Sequence, residues 1–504
     1  MSSTFIYQTP VRIGSPEQFA CIARTLKDSS FDEETICRVF KLENMSDVGS
    51  ITESDVERSD ISPLLRVLIR LFLLPSMVAR AEVERVFDQD IINSFLSLGL
   101  LGIGEFGNDE LYARALLYPV AGVFIASDRH SLPDDGEFEP PPDIVFPAIF
   151  GGTLRFLQLL PRNWNGAALD LCSGTGIGAI VLGRSGKTTV SADITERAAV
   201  FAQFNCVLNN VSNVEVLRGD LYEAVAGRTF GCIVAHPPYV PSLEAKAIWR
   251  DGGTIGESLV KRIVEGLPEH LDPGGIFFCV SLGVDTEEAK FEERVRGWLG
   301  ARADEFDIIF ACQESREPRQ VLDMLARRKH PERAPEFTKK LESEFQRAGV
   351  VKMPLGALYI RRAPKPATYD PWTVRRQLSA QTDSSDFENA FVMHDRSSQS
   401  EFLTSLEQAT PQLAPRLEVK VTHVVHEGSL VPADVLFEID KPFEARARFE
   451  NWMVPFLLRL DGKTTLATIY DEARTKGEIP EEFKLENLAV LVARTLELGL
   501  SVLP

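Results

Sequence analysis

The sequence has few cysteines and lacks an apolar run long enough to cross a bilayer. Its 504 residues include 7 cysteines, and none of them forms a C-x-x-C pair. This usage speaks against a zinc ribbon or a disulfide framework. No run of about 18 uninterrupted apolar residues occurs, and the N-terminus lacks the charged start and apolar core of a secretory signal. We therefore expect a cytoplasmic protein without a membrane partner.

Cationic residues are also scarce. Lys and Arg number 54 against 73 Asp and Glu, which gives a formal net charge of −19. A long nucleic-acid footprint needs concentrated Lys and Arg, so nucleic acid is the less favoured partner, although residues 315–334 and 361–376 are locally basic. His423 and His426 are three residues apart without a third ligand nearby, so we predict no metal site.

The chain is too long for one hydrophobic core, so we expect several domains. Apolar residues recur at helical spacing over residues 1–125 and lead into short strands, a pattern that resembles a winged-helix accessory domain. Residues 363–389 are rich in Pro, Ser and Thr, which predicts a linker. Residues 390–504 combine strands with helices, an α+β pattern that resembles small winged-helix domains.

Between residues 126 and 362, short apolar strands alternate with helices. Such alternation predicts an α/β fold in which a parallel sheet is covered on both faces. A charged helical insertion is predicted over 316–350. The predicted strands are 167–172, 188–193, 214–220, 231–236, 275–282, 307–313 and 357–362.

The strongest local motif is LDLCSGTGIGA at residues 169–179. An apolar strand ends at Asp170, and the chain then turns through Gly174 and Gly176 into a helix. Glycine lets the backbone approach a ligand closely, and a helix N-terminus offers free N–H groups to an anionic group. The motif alone also fits a dinucleotide site, because Asp193, at the end of the next strand, suits the ribose of either cofactor.

A second motif follows the fourth predicted strand, which ends in His236-Pro237-Pro238-Tyr239. A Pro-Pro pair stops sheet pairing and fixes an extended turn that presents carbonyl groups. Together with the glycine turn, this motif resembles the S-adenosylmethionine-dependent methyltransferases that carry Asn-Pro-Pro-Tyr. That small-domain group includes the release-factor glutamine methyltransferases, and the resemblance covers roughly residues 145–312.

The resemblance implies a Rossmann-like, seven-stranded methyltransferase core with S-adenosyl-L-methionine as cofactor. Asp170 would be oriented towards the methionine end, which Gly174 and Gly176 would pass beneath. Asp193 would accept the ribose hydroxyls, and Asp220 would contact the adenine amino group. The predicted cofactor site comprises Asp170, Cys172, Gly174, Gly176, Asp193, Ile194, Asp220, Leu221 and His236.

The resemblance also implies that His236, Pro237 and Tyr239 are the catalytic residues. His236 and the Pro237 carbonyl would hold N–H groups of the acceptor, and Tyr239 would pack on its plane. His236 stands where the family has Asn or Asp. Imidazole offers one acceptor on a longer arm and can take a proton near neutral pH, which favours an amine, hydroxyl or carboxylate substrate over a glutamine amide. Alternatively, His236 is a structural replacement and Pro237 orients the substrate.

We therefore predict methyl transfer to a nitrogen or oxygen nucleophile of a protein, peptide or small molecule, by a chain that could form a homodimer. The alternatives are an rRNA or tRNA base N-methyltransferase, a methyltransferase-fold binding protein without turnover, and a nicotinamide oxidoreductase. Gly252, Gly253 and Gly256 are expected to let the loop after Tyr239 close over substrate. The Gly151-Gly152-Thr153 turn is expected either over the methionine end of the cofactor or as a plain helix cap.

Overall fold

The computed structural model describes residues 8–74, 76–104, 109–133, 138–243, 247–327, 334–363 and 370–503. Parts of the predicted loop after Tyr239, of the insertion and of the linker lie outside the described residues. By its internal contacts the chain divides into two compact units. The first comprises residues 1–303, 316–353 and 361–364, and the second comprises 304–315, 354–360 and 365–504.

Helices predominate at the N-terminal end of the first unit. Ser15 accepts the N–H of Gln18, and Pro16 begins the first helix, where the missing N–H of proline costs nothing. The helices are α1 (Pro16–Asp28), α2 (Glu33–Phe40), a 3-10 helix (Met45–Ser50), α3 (Glu53–Arg58), α4 (Pro63–Phe72), α5 (Arg80–Val83) and α6 (Gln89–Ser97).

Short antiparallel strands follow these helices. Strands β1 (Val78–Ala79), β2 (Leu101–Ile103) and β3 (Glu110–Ala113) form a sheet in the order β1-β3-β2. Strands β4 (Ala115–Val120) and β5 (Val123–Asp128) form a hairpin. The predicted succession of helix and short strands is confirmed, and the winged-helix assignment stays a prediction.

The rest of the first unit is built on a parallel sheet, whose strands alternate with helices. This arrangement confirms the α/β class. The strands of the sheet run in the order β10-β9-β6-β7-β8. Strands β6 and β9 are wholly buried, as is typical of parallel sheets. The strands are β6 (Ala168–Leu171), β7 (Thr189–Asp193), β8 (Val214–Arg218), β9 (Phe230–Ala235) and β10 (Leu271–Leu282). Each overlaps a predicted strand.

The helices of this part alternate with its strands, as the spacing predicts. They are α7 (Gly151–Gln158), α8 (Ile177–Gly183), α9 (Glu196–Leu208), a 3-10 helix (Leu221–Val225), α10 (Ser258–His270) and α11 (Phe291–Trp298). The predicted insertion is helical, with α12 (Pro318–Ala326) and α13 (Ala334–Arg347). A short strand, β11 (Asp285–Thr286), precedes α11.

The N-terminal elements share a hydrophobic core with the parallel sheet. One cluster of buried side chains takes in Phe19 of α1 and Phe204 of α9, whose rings lie 5.0 Å apart. Arg197 forms a buried ion pair of 2.6 Å with Asp128. Strand β5, which carries Asp128, itself runs across the predicted domain boundary between residues 125 and 126.

The second unit contains β14 (Thr373–Gln377), nearly all of β12 (Phe306–Arg316) and the middle of β13 (Val350–Arg362), in the order β14-β12-β13. A 3-10 helix (Gly300–Glu305) precedes β12. Strand β14 lies within the predicted linker and pairs in parallel with β12 from Ile308↔Thr373 onward. The linker prediction is wrong for these residues, because the β-branched pair Thr373-Val374 continues the sheet within a segment whose Pro, Ser and Thr residues lie around it.

The remainder of the second unit is α+β, as predicted. Its helices are α14 (Ser384–Ser397), α15 (Phe402–Gln408), α16 (Val454–Leu457), α17 (Leu466–Thr475) and α18 (Leu485–Leu498). Its strands are β15 (Gln412–Leu413), β16 (Glu418–His426), β17 (Ser429–Ile439), β18 (Ala445–Phe449) and β19 (Ser501–Val502). Within the described residues, no helix has the length and apolarity needed to traverse a bilayer.

Candidate cofactor and acceptor site

The two motifs follow neighbouring parallel strands. Leu171, at the end of β6, is in register with Ala192 of β7 on one side and Ala235 of β9 on the other. The carboxyl ends of parallel strands meet at one edge of a sheet, where open α/β sheets bind ligands. The glycine turn after β6, the acidic end of β7 and the His236-Pro237-Pro238-Tyr239 motif after β9 are thus at one edge.

The glycine turn depends on left-handed backbone conformations. Gly174 has a φ of 53° and Gly176 a φ of 77°, which glycine adopts without steric cost. A Cβ on Gly176 would lie 2.8 Å from the Cβ of Ala202, whereas a Cβ on Gly174 would meet nothing within 4 Å. Cys172, which precedes them, also has a positive φ of 55°. The turn therefore packs against α9 at Gly176 and borders open space at Gly174.

Asp170 is buried beneath the start of α8. Its side chain is 2% exposed, and its Oδ2 accepts the N–H of Ala179 at 2.9 Å. A Cβ on Gly178 would lie 2.6 Å from the same oxygen, so glycine is required there. Burial raises the pKa of Asp170 to about 7. One carboxylate oxygen therefore holds the N-terminus of α8.

Asp193 joins the end of β7 to the glycine turn. Its Oδ2 accepts the N–H of Gly174 at 3.0 Å, and its Oδ1 accepts the N–H of Thr195 at 3.0 Å. Burial raises the pKa of this carboxyl group. Thr195, not Asp193, caps α9. The next residue, Ile194, is an exposed apolar side chain at 48%.

Asp220 follows β8 and pairs with an arginine that the sequence did not reveal. Its Oδ2 accepts a hydrogen bond of 2.9 Å from Arg262 of α10. Its side chain makes no capping bond to the following 3-10 helix. Leu221, next in the chain, is buried and has a φ of 52°.

His236 lies in a stack of aromatic rings. Its imidazole stacks on Phe156 of α7 at 5.3 Å between ring centroids, and Phe156 stacks on Phe278 of β10 at 5.4 Å. The Tyr239 and His236 ring centroids lie 6.0 Å apart. Burial lowers the pKa of His236 to about 4. This shift disfavours the protonated ring near neutral pH, because a charged ring loses hydration inside the stack.

Helix α7 begins beside the His236-Pro237-Pro238-Tyr239 motif. A Cβ on Gly152 would lie 3.6 Å from the Tyr239 hydroxyl and 3.9 Å from the His236 ring. Gly151 opens the helix, and the preceding Phe150 provides no side-chain cap. The Gly-Gly sequence thus brings helix backbone close to His236 and Tyr239. Phe156 lies one helical turn after Gly152. No sequence motif identifies it as a residue of the candidate site, and only its position on this helix could have suggested it.

The glycines of the loop after Tyr239 serve close packing. A Cβ on Gly252 would lie 2.7 Å from the Tyr239 Cα, and the Gly252 N–H donates to Val240 at 2.9 Å. Gly253 and Gly256 have φ values of 87° and 88°. The expectation that these glycines give the loop freedom is wrong, since each meets a steric or backbone requirement. Loop closure itself stays a prediction.

Aromatic side chains connect this loop to the segment before α7. Phe146 stacks on Trp249 at 4.6 Å and on Phe150 at 4.7 Å, and Phe150 is 39% exposed. Phe146 and Trp249 lie far apart in the sequence, so no local pattern predicts that they pack together. In the ranges that the structure describes, no cluster of three or more potential metal ligands occurs.

Comparisons with known proteins match this same region. Residues 149–297 match the family model Methyltransferase small domain. The chain is 35% identical over 124 residues to the ribosomal protein uL3 glutamine methyltransferase of Xylella fastidiosa, across 22% of this chain and 40% of that protein. It is 31% identical over 134 residues to the release factor glutamine methyltransferase of Thermodesulfovibrio yellowstonii, across 24% of this chain and 48% of that protein.

A third relative matches over more of its own length. It is a Methanocaldococcus jannaschii protein provisionally named as a protein N5-glutamine methyltransferase, 35% identical over 142 residues, which are 27% of this chain and 70% of that protein. The first two relatives are spanned over less than half of their length, 40% and 48%.

Proposed function

Because the chain belongs to the methyltransferase small domain family of S-adenosylmethionine-dependent methyltransferases, we propose that it transfers a methyl group to a side-chain nitrogen of a protein or peptide. The observation that carries this proposal is the register of β6 with β7 and β9, since it brings the glycine turn, Asp193 and His236 to one sheet edge. The names of the three relatives, all glutamine methyltransferases, support a protein acceptor.

The residues present fit S-adenosylmethionine. Gly174 borders open space where any other residue would place a Cβ, as close passage under a ligand requires. Asp193 would accept the ribose hydroxyls, and Asp220 would receive the adenine amino group. Ile194, exposed beside Asp193, and Leu221 would contact the base. Asp170 and Cys172 would shape the wall near the methionine end, together with Gly176 and His236.

The chain's own groups would hold the acceptor. S-adenosylmethionine supplies a methyl group already activated by its sulfonium, so the protein must align a nucleophile within about 3–3.5 Å of it. The neutral imidazole of His236 would accept one N–H of the acceptor, and the Pro237 carbonyl would accept another. Tyr239 would cover the planar group. Phe156 would fix the plane of the His236 ring by stacking.

We propose that His-Pro-Pro-Tyr takes the place of the family's Asn-Pro-Pro-Tyr. With its pKa lowered to about 4, the ring of His236 is a weak base and a neutral hydrogen-bonding group, as an asparagine amide is. This neutrality supports a planar amide as acceptor, because an amide offers N–H groups and carries no charge. A role in orienting the acceptor therefore accounts for His236 better than a role as general base.

The terminal regions are proposed to be accessory modules. Helix α6 followed by the antiparallel β2 and β3 supports a winged-helix-like module at the N-terminal end. Helices α17 and α18 followed by β19 support a second one at the C-terminal end. The three regions we propose are 1–125, 126–362 and 390–504. Strand β5 extends across the first of these limits and α14 begins before residue 390.

The decisive experiment is a methyl-transfer assay with S-adenosylmethionine labelled in its methyl group. The purified full chain is incubated with cell extract, and the label is followed after protease or ribonuclease treatment and by peptide sequencing. Protease-sensitive label on a side-chain nitrogen supports the proposal. Ribonuclease-sensitive label would assign a nucleic-acid acceptor, and cofactor binding without labelled product would leave a binding protein.

Variants connect this activity to the site. Asp193→Ala should weaken binding of S-adenosylhomocysteine by about 1–3 kcal/mol, since a charged hydrogen-bond acceptor is lost. His236→Ala should spare this binding and lower transfer. Glu196→Ala, an exposed carboxylate three residues beyond Asp193, is the matched control and should change neither quantity. Tight binding of a nicotinamide dinucleotide in place of the nucleoside would contradict the proposal.

A further inference from the structure

A cavity of about 540 Å³ lies within the second unit and shares no lining residue with the glycine turn or the His236-Pro237-Pro238-Tyr239 motif. Helix α14 forms one wall, and the ends of β14, β17 and α18 form the others. All its lining residues lie between Trp372 and Leu503. Small-molecule sites in proteins have volumes of about 300–1,000 Å³, so this cavity has the capacity for a ligand of metabolite size.

The cavity is cationic in a strongly acidic protein. Four basic side chains line it, and two carboxylates, Asp386 and Glu497, do so as well. Lys441 is compensated by Asp383 at 2.9 Å and by Asp386 at 3.8 Å. The basic residues are Arg376, Arg396, Arg416 and Lys441.

Two of these arginines have no acidic neighbour at bonding distance. Arg376 donates to the backbone carbonyl of Glu497 at 3.2 Å. Within the part of the chain that the structure describes, no carboxylate oxygen lies within 4.0 Å of the Arg376 or Arg396 guanidinium. Burial lowers the pKa of Arg376, and the nearby charge of Glu497 offsets only part of that effect. An anion beside Arg376 would offset more of it.

The rest of the lining is apolar and aromatic. Trp372 and His394 stack face to face at 4.6 Å with an angle of 10°, and the Arg376 guanidinium lies 5.8 Å from the Trp372 ring. Phe443 and Leu496 are buried side chains of the same lining. A bare inorganic ion would leave this apolar surface in contact with water, so an apolar body on the ligand would add stabilisation.

We propose that this cavity binds a small organic anion, with one acidic group held by Arg376 and Arg396 and an apolar body against Phe443, Leu496 and the Trp372–His394 stack. Arginine suits such a ligand because its planar fork matches carboxylate, sulfonate and phosphate groups. The proposed site is independent of methyl transfer, because none of its residues belongs to the cofactor or acceptor site.

A pair of fluorescent probes that differ in one charge tests the proposal. The full chain is titrated with 8-anilinonaphthalene-1-sulfonate and with N-phenyl-1-naphthylamine, which has the same rings and no sulfonate. We expect saturable binding of one sulfonate probe per chain, at least about tenfold tighter than the neutral probe. Equal affinity for the two probes would overturn the proposal, because only the apolar lining would then contribute.

Variants locate the binding. Arg376→Gln and Arg396→Gln should each weaken the sulfonate probe about tenfold and leave the neutral probe unchanged. The matched control is Arg494→Gln, an exposed arginine of α18 outside the lining, which should change nothing. Ala390→Trp should block both probes by filling the cavity. Thermal unfolding confirms that each variant folds.

An exposed apolar hairpin provides the competing explanation. Val425 and Leu430, at the turn between β16 and β17, are 74% and 71% exposed and could attract a dye by themselves. Val425→Thr should therefore leave sulfonate binding unchanged. Loss of binding in this variant, or wild-type binding by the Arg376→Gln/Arg396→Gln double variant, would contradict the assignment to the cavity.

Discussion

At the residue scale, burial shifts the pKa of two groups of the candidate site towards their neutral forms. His236 is held between Phe156 and Tyr239 with a lowered pKa, and Asp170 is held under α8 with a raised pKa. Both shifts have the same cause, since a charged group loses hydration when it is buried. Their signs differ because histidine is charged when protonated and aspartate when deprotonated.

The neutrality of His236 predicts a flat pH profile for its contribution. With a pKa of about 4, the ring stays uncharged between about pH 5.5 and 8. We expect kcat for methyl transfer to show no ionisation near pH 6.5 that His236→Asn removes, and we expect this variant to retain more activity than His236→Ala. The measurement is kcat against pH for the three proteins. An ionisation between pH 6 and 7 that vanishes in both variants would show a general base instead.

Asp170 predicts that stability falls as pH rises. Its folded-state pKa is about 7, against an ordinary value of 3.8 for aspartate, so the folded state holds a proton that the unfolded chain releases. The associated stability is present at low pH and is lost as pH rises towards 7. Asp170→Asn keeps an acceptor for the Ala179 N–H. The unfolding free energy of this variant, relative to that of the wild type, should increase by about 2 kcal/mol from pH 5 to pH 8. Denaturant unfolding at both pH values measures this difference, and a constant difference would contradict it.

Residues that act through local backbone requirements were predictable, and those that act through distant contacts were not. Gly174, Gly176 and Asp193 follow strands in a recognisable motif. Phe156 and Arg262 reach the site from helices that begin elsewhere in the sequence, and nothing in their own segments identifies a partner. The neutral state of His236 likewise depends on rings contributed by α7 and β10.

At the element scale, the first turn of α7 lies against Tyr239 and His236 and would limit the room in the proposed acceptor site. A side chain larger than alanine at Gly152 would project onto Tyr239 and His236. Gly152→Leu should therefore raise KM for the acceptor at least about tenfold, with cofactor binding unchanged. Gly151→Leu is the control, because a Cβ there meets nothing within 4 Å. Equal effects of the two substitutions would mean that the helix, and not the space beside Tyr239, is disturbed.

The start of α8 makes a prediction about stability. Gly178→Ala would bring a Cβ within 2.6 Å of the Asp170 carboxylate, and we expect a loss of about 1–3 kcal/mol in unfolding free energy. Gly297→Ala, also inside a helix but with nothing within 4 Å, should be neutral or stabilising by up to about 1 kcal/mol. Chemical denaturation compares the two. A loss of equal size in both would refute the steric explanation.

Strand positions were predictable wherever apolar runs were continuous, and strand limits were not. Strand β10 begins at Leu271, before the predicted 275–282, because the chain pairs with β9 at Leu271 and resumes in shifted register at Ile276. Strand β13 begins at Val350 and passes through Gly356, where a Cβ would lie 2.2 Å from the Ala311 carbonyl. Turn-forming residues thus lie inside these strands, where local composition predicts loops.

At the scale of the whole molecule, the pattern of segments predicts separate domains, whereas the buried core does not respect the first boundary. Phe19 and Phe204 pack together in one cluster with β5. A cluster of this kind arises from contacts between segments far apart in sequence. Composition and periodicity report only which face of each segment is apolar, so they predict the segments and not their shared core.

Asn205 gives the first unit a property that extends beyond its site. The Asn205 side chain accepts the N–H of Ala126 in β5 at 2.7 Å and donates to the Thr175 carbonyl, in the glycine turn, at 2.9 Å. If S-adenosylhomocysteine steadies that turn, local opening around Asn205 becomes costlier. The Ala126 amide should then exchange with deuterium more slowly in its presence, while amides of β17 in the second unit keep their rates. Unchanged exchange at Ala126 would show that occupancy of the turn is not transmitted to the N-terminal hairpin.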